Sequence, residues 1–434
     1  MTKPSRGWLT HDAPCSDEYQ SCIKCGLCLE SCPTFQETGR ELESPRGRVQ
    51  LIASVARGEV PLERGPLIDT MFSCLDCRAC ETSCPSGVPI GTLIEKARGE
   101  ATVAFPDILP RWTRRAQSII GHPRRLQFMR KLIVLGQRWG IWRRGPKWPG
   151  LPDSVGRLAA TLRPLPMEMP YWNNQDISKV KQLSKPSAHV QLFVGCIMNT
   201  VFSDANQSTY RVLARHGCHI SVTAGQVCCG ALAVHAGDRR EAKRLARINI
   251  DRFLLEDADY LVTNAGGCGA ALLEYPEWFR DDAQYSVRAQ QFAARIKDAM
   301  QVISTVGFQQ PIGAFPHSVT YQGSCHLHHV MKIGKTPEAM LSCIPGITYQ
   351  PMPDLTRCCG SAGIYNLTHP IMADTLLVRK MADIPPGTEV VVTGNPGCWL
   401  QLEQGVQRYG PSVRVMHLMQ VLDEAYQAGD LLHD

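Results

Sequence analysis

Two short runs of cysteine constrain this chain more than anything else in it. Cys22, Cys25, Cys28 and Cys32 precede Pro33 in the spacing C-x2-C-x2-C-x3-C-P, and Cys74, Cys77, Cys80 and Cys84 precede Pro85 in the same spacing. Three closely spaced thiols can wrap three corners of a small inorganic cube. The proline then turns the chain away, so that the fourth thiol must reach a neighbouring cube. Structural zinc is the alternative, but zinc takes four ligands grouped in pairs. Four cysteines per run, twice over and each closed by Cys-Pro, fit zinc poorly.

The run is the signature of bacterial two-cluster ferredoxins, in which the fourth cysteine of each run serves the other cluster. One [4Fe–4S] cluster is therefore expected on Cys22, Cys25, Cys28 and Cys84, and a second on Cys74, Cys77, Cys80 and Cys32. Forty-one residues separate Cys32 from Cys74, long for a compact β-rich ferredoxin. Val49, Ile52, Val55 and Ala56 fall at helical spacing and end near Gly58, which predicts a helical ferredoxin domain over residues 1–105. Cys15 stands outside both runs and reads as a plain thiol.

The chain's 434 residues allow two to four domains. Its 44% hydrophobic and 20% charged content is ordinary, but its 19 cysteines are not. No apolar leader follows Met1, so the cysteines are expected to be ligands or catalytic thiols in the cytoplasm rather than disulfides. No apolar run approaches the ~18 residues of a membrane-spanning helix. The net charge of +6 is uneven: Arg111 to Lys147 holds eleven Lys or Arg and no acid, leaving the rest net acidic. One basic patch is not a general nucleic-acid binder, and no nucleic-acid partner is expected. Residues 106–187, rich in Pro, Arg and Trp, read as a connector. Trp112, Trp139, Trp142 and Trp148 among those basic side chains suit anionic headgroups and predict peripheral contact with the cytoplasmic face of a membrane. The other reading is a solvated connector whose tryptophans pack on a neighbouring domain.

The second half repeats itself. Cys196, Cys228-Cys229-Gly230 and Cys268 recur as Cys325, Cys358-Cys359-Gly360 and Cys398, at offsets of 129, 130, 130 and 130 residues. Strands are expected at Gln191–Val194, Tyr260–Thr263, Val319–Gln322 and Glu389–Thr393, with a helix over Arg239–Leu255. The fold class is thus α+β multidomain: a helical two-cluster ferredoxin domain, then two repeated α/β cysteine-rich modules at 188–310 and 311–434. Each module's cysteines sit where strands end and can converge. They could hold a further iron–sulfur cluster or zinc, or be buried structural thiols.

These residues resemble the family of cysteine-rich "CCG" proteins fused to a ferredoxin domain, and within it the iron–sulfur subunits of bacterial glycolate oxidase. The resemblance spans nearly the whole chain. It rests on Cys22 to Cys28, Ser44-Pro45-Arg46-Gly47-Arg48, Cys229-Gly230-Ala231-Leu232, Cys325-His326-Leu327, Cys359 to Asn366 and Gly394-Asn395-Pro396-Gly397-Cys398. It implies an electron-carrying subunit: flavin-binding partners, which alone hold FAD, oxidise glycolate, or D-lactate, and this chain passes electrons towards quinone. Subunits of glycerol-3-phosphate and D-lactate dehydrogenases share the architecture, and heterodisulfide reductases share the repeated module. Several family members end each module in C-x2-C, giving five cysteines. Here Ala265 and Asn395 take the earlier place, leaving four: Cys196, Cys228, Cys229 and Cys268, then Cys325, Cys358, Cys359 and Cys398. His326, His328 and His329 crowd Cys325 and could add a ligand.

No catalytic residue is expected in the chain itself. No G-x-G-x-x-G follows a strand; Gly266, Gly267 and Gly269 lack the remaining spacing. Gly334-Lys335-Thr336 is preceded by His329 where a phosphate loop needs glycine. Clusters move single electrons, whereas oxidising a 2-hydroxy acid removes two. A flavin elsewhere must divide the pair.

Overall fold

A computed structural model of the chain describes residues 7–140, 156, 164–165 and 186–431. It falls into two compact units, and each draws on separated stretches of sequence.

The first unit runs to Ser118 and takes in Gly230–Arg244 and Gly360–Leu376. It is helical, as the spacing of Val49, Ile52, Val55 and Ala56 predicts. The helix Pro45–Arg57 starts on Ser44, whose hydroxyl accepts the Gly47 N–H at 3.0 Å, and stops at Gly58 in a left-handed conformation. Its buried face joins that of Ile90–Ala104 in a core of Val49, Ile52, Val55, Leu93 and Ile94, against Trp8 and Met71. The second helix also buries charge. Lys96 pairs with Glu18, and Glu100 accepts the Leu9 and Thr10 N–H groups.

The second unit contains both α/β modules. Strands β1 (Ala188–Leu192), β2 (Cys218–Ser221), β3 (Tyr260–Thr263) and β4 (Ile296–Asp298) form a parallel sheet ordered β2-β1-β3-β4. Strands β5 (Ser318–Tyr321), β6 (Thr348–Tyr349), β7 (Val390–Thr393) and β8 (Arg414–His417) repeat it as β6-β5-β7-β8. Register repeats too: Val190 faces Tyr260 as Val319 faces Val390. Helices cover these sheets, so the central strands carry buried apolar residues, as in Val390-Val391-Val392, although Gln191 and Thr320 are buried there too. Trp399 of the second module stacks on Phe202 of the first, centroids 4.1 Å apart.

Within the stretch read as a connector, the described residues include the helices Arg111–Ile120 and Pro123–Arg138. Prolines interrupt the sequence pattern here, but Pro110 and Pro123 fall just before a helix and in a first turn, where a missing N–H costs nothing. Trp142, Arg143, Arg144, Lys147 and Trp148 lie outside the described residues. Among the described residues, no helix is long and apolar enough to cross a membrane.

Candidate iron–sulfur centres

The two ferredoxin runs fold alike. Lys24 and Gly26 in the first, and Asp76 and Arg78 in the second, take left-handed conformations with φ of 56°, 87°, 52° and 63°. Such turns coil the backbone tightly, so that neighbouring thiols face one centre. For non-glycine residues each costs roughly 1–2 kcal/mol. At Asp76 and Arg78 the cost is met by an ion pair of 2.8 Å between their side chains.

A first cavity is lined by Cys22, Cys25 and Cys28 with Cys84, and a second by Cys74, Cys77 and Cys80 with Cys32. Each thus gathers three thiols from one run and the last thiol of the other. Cys32 caps the helix Pro33–Thr38, and the proline there sends the chain onward. N–H groups point at sulfur: Asp76 N to Cys74 Sγ and Val88 N to Cys84 Sγ, both at 3.4 Å. Burial and the sulfurs of Cys77, Cys74 and Cys32 push the Cys80 thiol far up. Thiols that penalise one another's ionisation are a set that a cationic centre deprotonates and holds. The donor set, all sulfur and aided by backbone N–H groups, fits a [4Fe–4S] cluster in each cavity. Such a cluster supplies one-electron transfer.

Four charged groups beside the second cavity escaped the sequence reading. Arg78 also reaches Glu95 at 3.1 Å, and His235 Nδ1 lies 2.9 Å from Asp76 and 3.3 Å from Glu95. Asp76, Glu95 and His235 are close enough to hold a metal ion. The Arg78 guanidinium already pairs with both carboxylates, so the group reads as a charge network. Burial opposes charge on His235, but hydrogen bonds to Asp76 and Glu95 outweigh it and push the imidazole up to about 9. A folded value above the unfolded 6.5 means that its stabilisation is complete below about pH 6.5 and is lost as pH rises through 9. Denaturant midpoints should therefore fall between about pH 7 and 10, and His235→Gln should flatten that fall. A fall equally steep in the variant would assign the effect to another group.

In the first module, Cys196 Sγ lies 3.7 Å from Cys228 Sγ. Contact with Cys228 and Cys268, together with burial, pushes Cys229 far up. All four thiols therefore converge. Tyr275 donates to the Cys229 carbonyl at 2.9 Å and Asn249 to that of Cys228 at 3.1 Å, clamping the vicinal pair from behind. In the second module Cys359 and burial push Cys398 up. Ser324 Oγ lies 3.5 Å from the Cys398 sulfur, and Asn395 donates to it at 3.4 Å. Asn395 thus serves the sulfur through a hydrogen bond while its Oδ1 accepts the Gly267 N–H at 2.9 Å. Cys325 opens the short helix Cys325–His329 that carries all three histidines. Burial and the neighbouring His328 hold His329 to about 4, which leaves it neutral at pH 7 with a ligand lone pair. Four sulfurs in the first module fit a metal centre. In the second, Cys359 and Cys398 meet beside two polar groups.

Helical ferredoxin unit, crossed thiol cavities and paired parallel-sheet modules together define an iron–sulfur protein with duplicated cysteine-rich modules. Comparison with known proteins agrees: a 4Fe-4S dicluster domain profile matches residues 18–88, and the CCG cysteine-rich domain profile matches 190–273 and 319–403. The chain is 37% identical over 431 residues to the probable glycolate oxidase iron–sulfur subunit of Bacillus subtilis (strain 168), covering 94% of each. It is 30% identical over 417 residues to the glycolate oxidase iron–sulfur subunit of Escherichia coli (strain K12), again covering 94% of each. Lactate utilization protein A of Shouchella clausii is 31% identical over 237 residues, 54% of this chain and 98% of that protein. The chain belongs to the family of glycolate oxidase iron–sulfur subunits.

Proposed function

We propose that this chain carries electrons within a complex whose flavin-binding partner oxidises glycolate to glyoxylate, and that it delivers them towards quinone at a membrane surface. The pair of four-thiol cavities carries the reading, in a chain so similar to glycolate oxidase subunits. Cys22, Cys25, Cys28 and Cys84 would hold one [4Fe–4S] cluster, and Cys74, Cys77, Cys80 and Cys32 the other. Cys196, Cys228, Cys229 and Cys268, and their repeats Cys325, Cys358, Cys359 and Cys398, would hold a further cluster or zinc. The chain's own work is to fix these thiols, shield them from water and set the field around them.

The helix Pro123–Arg138 supports the membrane reading. Val134 is buried against Met198 and Phe202, while Phe128, Leu132, Leu135 and Trp139 form an exposed stripe at spacings of four, three and four residues. Exposed Arg124, Lys131 and Arg138 flank that stripe on one side and Arg125 on the other, with no acidic residue on the helix. An apolar stripe between rows of basic side chains suits the headgroup region of an anionic bilayer. The first turns of this helix, Pro123 and Leu126, also line a cavity that contains Cys196 and Cys228.

The test is anaerobic bleaching of the cluster absorbance. Glycolate should reduce the chain only when the flavin-binding partner is present, and D-lactate, added separately, reports the substrate range. Reduction by glycolate without any partner would overturn the subunit reading, and so would no reduction with it.

A further inference from the structure

Two arginines of the first unit are buried with no carboxylate at ion-pairing distance; Arg98 feels that of Asp76, which Arg78 already pairs. Arg48 is 1% exposed and Arg98 3%. Arg48 donates from Nε to the Thr70 carbonyl at 3.0 Å and from its terminal nitrogens to the Glu43 carbonyl at 2.6 Å, Thr34 Oγ1 at 3.1 Å and Ser73 Oγ at 3.0 Å. A terminal nitrogen also lies 3.9 Å from the sulfur of Cys32. Arg98 donates to the carbonyls of Met71 and His235 at 3.0 and 2.9 Å and to that of Cys74. Every oxygen they contact is neutral. A guanidinium cannot shed its proton, and an isolated buried charge costs several kcal/mol unless an opposite charge stands near.

Arg48 touches Cys32, Arg98 holds the backbone of Cys74, and Arg48 lines the cavity where Cys32 and Cys74 meet Cys77 and Cys80. The first cavity is served differently. Arg46 lines it, but is partly exposed and already paired with Glu41 at 2.7 Å. We infer that Arg48 and Arg98 are the counter-charges of the cluster held by Cys74, Cys77, Cys80 and Cys32, and that they raise its reduction potential selectively. This rests on the ligand assignment proposed above. The electrostatics are simple: one added electron is one added negative charge, and a fixed cation in a dry, low-dielectric surrounding makes that charge less costly. No proton need move, and the electron comes from the reduced flavin of the partner.

The experiment is a redox titration of the full-length, cluster-loaded chain, followed by electron paramagnetic resonance, which separates the two clusters. Arg48→Met and Arg98→Met should each disfavour reduction of the second cluster by at least tenfold, a shift of at least 59 mV downwards for one electron. Arg48→Lys should stay near wild type, and Arg46→Gln should move the first cluster by much less. An unchanged potential in a loaded neutral variant, or equal shifts of both clusters, would overturn the inference. If neither methionine variant loads the second cluster, Arg48→Lys decides. Loading at the wild-type potential supports the charge role; failure to load leaves only a structural fork and overturns it. Cys32→Ser keeps the ligand assignment separate. If it alters the Cys22 cluster instead, the crossed assignment has failed, whichever way the arginine variants behave.

Discussion

Replacing Cys84 by Ala removes the cluster of Cys22, Cys25 and Cys28 and leaves that of Cys74, Cys77 and Cys80. That is the expected result although Cys84 lies in the second run, because it lines the first cavity. Iron content should fall from roughly eight to roughly four per chain. The denaturation midpoint should fall as well, since a site that gathers distant thiols seldom preforms without its metal. Iron analysis with electron paramagnetic resonance reads both. Loss of the Cys74 signal with the Cys22 signal intact would refute crossed ligation.

Changing Arg124, Arg125, Lys131 and Arg138 together to Gln should all but abolish binding to anionic vesicles. Each basic group near such a surface is worth about 1 kcal/mol, so four give about 4 kcal/mol, close to a thousandfold in affinity. Phe128→Ser with Trp139→Ser should weaken binding to anionic and neutral vesicles alike, because it removes apolar contact rather than charge. Co-sedimentation at low and high salt separates the two effects, since screening acts only on the first. If the quadruple variant sediments like wild type, the helix face is a protein-docking or solvent-exposed surface.

Spacing carried the legible part of this fold. Two identical cysteine runs and four matching offsets need no tertiary information, and the repeated register Val190–Tyr260 and Val319–Val390 is their physical counterpart. The end of the helix Pro45–Arg57 at Gly58 was readable for the same reason, because a glycine stop acts locally, whereas its Ser44 cap came only from the structure. The helices Arg111–Ile120 and Pro123–Arg138 were not, since prolines counted as breakers there stand at helix starts. Least legible were the charges around the centres. His235 meets Asp76 and Glu95 across more than a hundred residues, a contact with no periodicity behind it. Arg48 stood within a motif that the family resemblance had already marked, but nothing in Ser44-Pro45-Arg46-Gly47-Arg48 says that one arginine is solvent-facing and paired while the other is enclosed. Asn395 looked like a missing ligand, and only the structure turns it into a donor to Cys398.

The first unit is assembled from three separated stretches, and this bears on how the chain is made. Its N-terminal stretch leaves the ribosome first, yet some partners of its polar groups come much later. Arg239 pairs with Asp12, His235 with Asp76 and Glu95, and Tyr365 donates to the carbonyl of Ser73 at 3.1 Å. Until residue 376 has emerged, the unit's contacts cannot all form. The residues that line both thiol cavities, between 22 and 91, are all made long before that, so the cysteines wait on the ribosome while part of the unit's polar contacts is still missing. A fragment ending near residue 118 would carry all eight ferredoxin cysteines and still lack the contacts that His235, Arg239 and Tyr365 make with the unit.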